Sequence, residues 1–518
     1  MIAARRLAAA YALFGMLLTI PLSSTPVLPL IDLYNHMARF YVLSRLDLPE
    51  FAGNYIPDWR LLPNLGADLL GVPLMHVLPA LLTAKVLVGL VLLVQFSGLI
   101  FLATGINRRS LPLVLPFSAM LCYSYILGWG FVNFLLGVGV MLWTLGFWVR
   151  LRAQPLKAIL ICAPGAALIF LCHGFALLIY GLIASMIELG FWWQDRGRRP
   201  VDLLRGWAAL AVQAVLPITM FLTTPTADAE GTSTVSNIRA YMGNGQFSER
   251  VSLEAAYRLK TIYRVAESPW LLLDVVTFLV VLATAIIALR RRWWRLDRRL
   301  LPAIILLGIG AVAIPTNFFS ASYLSERMAL MFALVAVAGL SVTGGQGRGP
   351  VAAVSVIWVV AIVRLLATGW GWAAYAPAFA HYEKMIQTVP KGALAADFII
   401  RDLDRRDSVM PRCQMYLPLL VPLRHAVAPI FAIPGQQPVK LGGALEKAIE
   451  QISPGKEAPR MAPARYADDL RRVAGSSFDY VLICGANRFT GPVPPNLRLL
   501  GEGQNIRLYR IEGPDPRG

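Results

Sequence analysis

The chain has 518 residues, of which 57% are hydrophobic and 15% charged, with a formal net charge of +18; its mean hydropathy is +0.59. No ordinary water-soluble domain sustains such hydropathy over such a length, so the sequence reads as a polytopic α-helical membrane protein. The positive charge does not point to nucleic acid, because the basic residues stand in short clusters between apolar runs and not along one soluble face.

Apolar stretches long enough to cross a hydrocarbon core of ~30 Å number about eleven. They lie near residues 7–26, 84–104, 111–127, 131–149, 157–172, 174–192, 203–223, 269–289, 299–316, 327–343 and 350–370. Arg5 and Arg6 precede the first, and with no small-x-small cleavage site before Asp32 that run reads as an uncleaved helix. Alternate connections carry the cations: Arg108 and Arg109, then Arg150, Arg152 and Lys157, then Arg196 to Arg205, then Arg290 to Arg299, then Arg348. The positive-inside rule places all of these in the cytoplasm, which requires an inside N-terminus and an outside C-terminus. Residues 1–370 are therefore expected to form a transmembrane domain with outside loops at 27–83 and 224–268, and residues 371–518 a small α/β extracytoplasmic domain.

The cytoplasmic connections are short, so a site is expected outside. The first outside loop reads as two amphipathic interfacial helices around "GNYIPDWRLLPN". The second opens Gly/Ser/Thr-rich and turns helical at "SLEAAYRLKTIYRV". Spaced glycines in "GWGFVNFLLGVGVMLW" mark close helix packing, and Arg364, within the last span, reads as a snorkelling side chain. In the tail, "ARYADDLRRVA" and "FDYVLICG" make a helix–strand unit, and "LRLLGEGQNIRLYRI" two strands joined by a Gly-rich turn. Cys122, Cys162 and Cys172 fall within spans as small hydrophobes, whereas Cys413 and Cys484 share the outside domain, where an oxidising compartment would permit a disulfide.

Polar residues follow the first span at once in "PLIDLYNHMARFYVL". If this stretch is helical, Asp32, His36 and Arg39 share a face, because steps of four and seven residues return to about +40° and −20°. A carboxylate near a cation at a membrane surface suits proton abstraction from a hydroxyl. The structural alternative is that Asp32 caps the helix and pairs with Arg39. Glu326 and Arg327 open the tenth span at its outer end, His173 stands between the fifth and sixth, and Arg258, Lys260 and Arg264 lie on the second outside loop. These could bind an anionic headgroup, or be a solvated face and local ion pairs.

The Asp directly after the first span, the long first outside loop, the further spans and the outside C-terminal domain resemble the membrane-embedded C-type glycosyltransferases, the GT-C superfamily. More narrowly, "IDLYNHMARFYVL", "WGFVNFLLGVG" and "FDYVLICG" followed by "RLYRI" resemble a group of bacterial membrane proteins related to it. The resemblance implies an inverting glycosyltransferase of the bacterial cytoplasmic membrane. Its donor would be a polyprenyl-phosphate-linked sugar, and its acceptor a hydroxyl of an envelope glycan, lipid or protein. Asp32 would be the base; Arg258, Lys260, Arg264 and Arg327 are phosphate candidates by position, with His36, Arg39, His173 and Glu326 completing the substrate-binding set. Many members carry paired acids in this loop, whereas here the acid after Asp32 is Asp47. No cofactor is therefore expected and a divalent metal is not supported; Asp58 or Asp68 could supply a second carboxylate only through folding. The rival functions are a lipid or polysaccharide transporter, which would place ionisable groups through the depth of several spans, and a non-catalytic envelope assembly protein.

Overall fold

The computed structural model of the protein describes residues 2–195, 199–224, 261–314, 316, 322–343, 347–400, 412–433, 435–452, 463–489, 491–503 and 505–513. The chain opens with α1 (Ile2–Ser23), α2 (Leu33–Leu43), the strand β1 (Tyr55–Pro57), α3 (Gly66–Val77) and α4 (Ala80–Ile106). Next come α5 (Leu111–Cys122), the single turn α6 (Tyr125–Gly128), α7 (Val132–Leu151), α8 (Pro155–Cys172), α9 (Gly174–Gln194) and α10 (Pro200–Leu222). Then follow α11 (Leu271–Arg290), β2 (Trp294–Leu296), α12 (Leu301–Ala313), α13 (Leu324–Gly339), β3 (Leu340–Val342), α14 (Arg348–Ala373) and α15 (Ala376–Met385). The tail holds β4 (Ala395–Ile399), α16 (Leu420–Arg424), β5 (Val439–Leu441), α17 (Gly443–Ile452), α18 (Pro463–Ala474), β6 (Tyr480–Cys484), β7 (Leu497–Glu502) and β8 (Ile506–Ile511).

Each of the expected apolar stretches coincides with a helix. Among the described residues, seven helices are long and apolar enough to cross a membrane: α4, α7, α8, α9, α10, α11 and the one that starts at Arg348. The remaining expected spans fall on α1 and on α5, α12 and α13, which have 12, 13 and 16 residues. These three are short of the ~20 residues that a perpendicular span needs.

By contact the chain divides into two compact units, residues 1–24, 61–67 and 88–371, and residues 25–60, 68–87 and 372–518. Most of the first expected loop thus belongs with the C-terminal segment, not with the helical bundle. In the first unit the spaced glycines of α7 sit where helices touch: a Cβ on Gly139 would lie 2.9 Å from the Gln95 backbone nitrogen, so a side chain there would force the helices apart. Buried charges are closed by partners. Glu188 accepts from Arg152 Nε at 2.8 Å and from Trp148 Nε1 at 2.9 Å. Arg364 does not snorkel: it donates to Asp274 at 2.8 Å, to Thr277 at 3.1 Å and to the Ala266 carbonyl at 2.8 Å, clamping α14 to α11.

In the second unit a four-stranded sheet runs β4-β6-β8-β7, with β4 and β6 parallel and the other pairs antiparallel. The central β6, Tyr-Val-Leu-Ile-Cys, is buried at every position, as an interior strand covered on both faces requires. The amphipathic α18 turns Tyr466, Leu470 and Val473 inward. Cys413 and Cys484 are bonded, with Cα atoms 5.6 Å apart, which staples the 412–419 turn to the end of β6. In the loop around "GNYIPDWRLLPN", α2 and α3 are the two expected helices, while Tyr55–Pro57 between them pairs antiparallel with β5. That pairing is held by the Tyr55 hydroxyl, which donates to the Ala428 carbonyl at 2.8 Å and accepts from its N–H at 2.9 Å.

Candidate active site

Helix α2 carries the residues singled out in the sequence. Asp32 is its N-cap residue, with φ −85° and ψ −10°, and its side chain makes no capping hydrogen bond. Its carbonyl accepts from the His36 N–H at 3.3 Å, so the helix begins on the Asp32 backbone and not on its carboxylate. The turn leading in is locked by buried Tyr34, whose hydroxyl accepts from the Leu28 N–H at 2.6 Å.

Arg39 is fully buried and its guanidinium is closed on all sides. Nε donates to Asp68 Oδ1 at 2.6 Å and Nη2 to Asp68 Oδ2 at 2.9 Å, a two-pronged pair. Nη2 also donates to His36 Nδ1 at 3.0 Å, and Nη1 reaches the Phe431 carbonyl at 3.4 Å. Because guanidinium only donates, His36 Nδ1 is the acceptor and the ring is neutral. Burial first, and the adjacent Arg39 second, hold the His36 pKa well below its ordinary value. Both residues hold α2 from inside, Arg39 through Asp68 and the Phe431 carbonyl and His36 through Arg39. Asp68 is committed to Arg39, and Asp58 to Arg60 at 2.7 Å and Lys440 at 3.0 Å. Among the described residues, no three His, Cys, Asp or Glu side chains converge as metal ligands.

In the first unit His173 caps α9, where its Nδ1 accepts from the Phe175 N–H at 3.1 Å. The other ring nitrogen, Nε2, lies 3.0 Å from Arg327 Nη1, and because a guanidinium only donates, Nε2 accepts in that contact. The Arg327 guanidinium lies 4.8 Å from the ring centres of Phe131 and of Phe134. Arg264 pairs with Glu267 at 2.9 Å and lies over the Tyr125 ring at 4.9 Å. Glu326 is interior, and its carboxylate accepts from Ser325 Oγ at 2.8 Å. Arg258 and Lys260 lie outside the described residues.

The sequence reading passed over the aromatic residues that wall this region. Tyr323, with φ +60°, enters α13 in a left-handed conformation and packs on Trp129 at 4.3 Å and on Phe131 at 5.7 Å. The available signal was the aromatic spacing of "YILGWGFVNF", which also suits ordinary packing.

No protein-family model and no curated protein matches the chain. Among solved structures, ArnT from Cupriavidus metallidurans bound to undecaprenyl phosphate aligns with 99% of this chain and 100% of its own, with a TM-score of 0.53 at 10% identity. The chain has the GT-C fold. Other GT-C matches are an oligosaccharyltransferase from Archaeoglobus fulgidus, tethered with an acceptor peptide (TM-score 0.42, 12% identity, 92% of this chain and 69% of that one), and the arabinofuranosyltransferase AftD from Mycobacteria (TM-score 0.41, 14% identity, 99% of this chain). The chain spans 42% of the length of AftD.

Proposed function

We propose that the protein is a membrane glycosyltransferase that moves a sugar from a polyprenyl-phosphate-linked donor to a hydroxyl of an envelope acceptor, outside the cytoplasmic membrane. The observation that carries this reading is the place of Asp32: in a chain of GT-C fold, a carboxylate stands directly after the first apolar helix, at the N-cap position of a helix held by the buried Arg39–Asp68 pair. The acceptor hydroxyl attacks the anomeric carbon and gives its proton to Asp32, while the carbon–oxygen bond to phosphate breaks and the polyprenyl phosphate leaves with the electron pair, inverting the centre. Arg327, beside His173, is the cation proposed to neutralise the leaving phosphate, on which negative charge grows in the transition state. ArnT, of like fold, binds undecaprenyl phosphate, which supports a lipid-linked donor. The disulfide Cys413–Cys484 supports an oxidising, extracytoplasmic location for the C-terminal segment.

The test is transfer by purified wild-type and Asp32→Asn protein from a polyprenyl-phosphate sugar. Asn keeps size and cap quality but accepts no proton, so the rate should fall by roughly 10²–10⁴-fold with folding intact. Equal rates would leave Asp32 a structural residue and end this reading.

A further inference from the structure

From the last residue of α11 the chain reads "RRRWWRLDRR", residues 290–299. Its single acid is committed locally: Asp297 accepts from Arg299 Nε at 2.8 Å and from Arg299 Nη2 at 2.6 Å. Arg290, Arg291, Arg292, Arg295 and Arg298 are exposed and have no ion-pair partner among the described residues. Like charges this close repel one another until an anion answers them.

The fold holds this cationic segment in place. Arg292, with φ +58°, closes α11 in the left-handed region; its N–H donates to the Leu289 carbonyl at 3.1 Å, and that of Trp293 to the Ala288 carbonyl at 2.8 Å. Such a closure favours glycine, so an arginine stands there at a conformational cost. Trp294 is buried where β2 pairs antiparallel with β3. Gly349, at the start of α14, lies so close to the Trp293 ring that a Cβ there would overlap it. Arg299 Nη2 donates to the Ile106 carbonyl at 2.8 Å, which brings the end of α4, with exposed Arg108 and Arg109 just beyond it, to the same end of the bundle. The connection from β3 to α14, residues 343–347, contains no acid.

The adjoining apolar surface identifies the class of anion. Leu279, Leu282, Ile286 and Arg290 are exposed and recur at steps of three, four and four, so one apolar stripe runs down α11 and ends on a guanidinium. Only 17% of the apolar window of α11 is buried, the smallest share among the seven long apolar helices described. A soluble phosphate would use the arginines and leave the stripe uncovered. A phospholipid covers both, with its acyl chains on the stripe and its phosphate on the cations.

We propose that this flank of α11, with Arg290, Arg291, Arg292 and Arg295, is a binding site for an anionic phospholipid. The site shares no residue with Asp32 or Arg327 and is independent of the glycosyltransferase reading.

The experiment is native mass spectrometry of the full-length protein in neutral detergent, titrated with dioleoyl phosphatidylglycerol or dioleoyl phosphatidylcholine, which share acyl chains and differ in headgroup charge. Phosphatidylglycerol should bind wild type more tightly than phosphatidylcholine does. The double variant Arg291→Gln/Arg295→Gln should weaken its binding roughly 25-fold, about fivefold for each arginine. Lys157→Gln/Arg205→Gln removes the same charge from exposed positions on α8 and α10 and should change binding by less than about threefold. Arg292→Gly should weaken binding while the lipid-free protein unfolds at no lower temperature, since glycine suits that backbone. Equal affinity for the two lipids, equal loss in the two double variants, or unaltered binding by Arg292→Gly overturns the proposal. So does inorganic phosphate or poly-glutamate that binds more tightly than phosphatidylglycerol and is lost with Arg291 and Arg295, because the stripe would then take no part.

Discussion

A guanidinium with no solvent exposure, such as that of Arg39, persists only because Asp68 and His36 answer it from within. Removing one partner strands the other, which costs about 3–5 kcal/mol in comparable buried pairs. Asp68→Ala is therefore expected to lower the unfolding temperature of the detergent-solubilised protein sharply, whereas Asp32→Asn leaves it near wild type; equal effects would contradict the division into framework and chemistry. His36 adds a pH dependence whose sign follows from its lowered pKa. Near pH 6.5 the unfolded chain takes up a proton that the folded chain refuses, so stability falls as pH drops below about 6.5. His36→Gln keeps an acceptor for Arg39 and cannot titrate, and should flatten that fall; His425, also lowered, leaves a residual slope. An undiminished slope would assign the effect to other groups. The sequence made the nearness of His36 and Arg39 legible, because three residues are about one helical turn. It did not reveal Asp68, because that contact depends on how two helices pack.

At the scale of elements, the connection between α8 and α9 places His173 with Nδ1 on the Phe175 N–H and Nε2 3.0 Å from Arg327 Nη1. His173→Asn preserves an N-cap of the preferred type but loses the ring nitrogen that faces Arg327. It should leave stability within about 1 kcal/mol while raising the KM for the phosphate-linked donor roughly tenfold. A variant that loses stability with no change in donor KM would mark His173 as a cap alone. The 412–419 turn depends on its disulfide in a different way. Closing 71 residues restricts the unfolded chain and contributes about 2–5 kcal/mol. Denatured, unreduced protein should show three reactive thiols, Cys122, Cys162 and Cys172, and after reduction all five cysteines; five before reduction would refute the bridge.

For the molecule as a whole, alternating basic connections lead to a topology that reporters can check. A fusion near Arg348 should lie in the cytoplasm and one at the C-terminus outside it. Both on one side would displace the proposed site from the compartment of its donor. The sequence by itself determined the helical membrane character, the positions of the long apolar helices, the α18–β6 unit and the β7–β8 pair, because hydropathy and turn chemistry act over stretches of about 5 to 25 residues. It also singled out Asp32, through a carboxylate that directly follows an apolar run. Only the tertiary structure decided that Arg39 is answered by Asp68, that Arg327 faces His173, that β1 pairs with β5 and that Cys413 joins Cys484. Each of those contacts joins residues distant along the chain, and local periodicity carries no information about which distant partner will close a buried charge, a strand edge or a thiol pair.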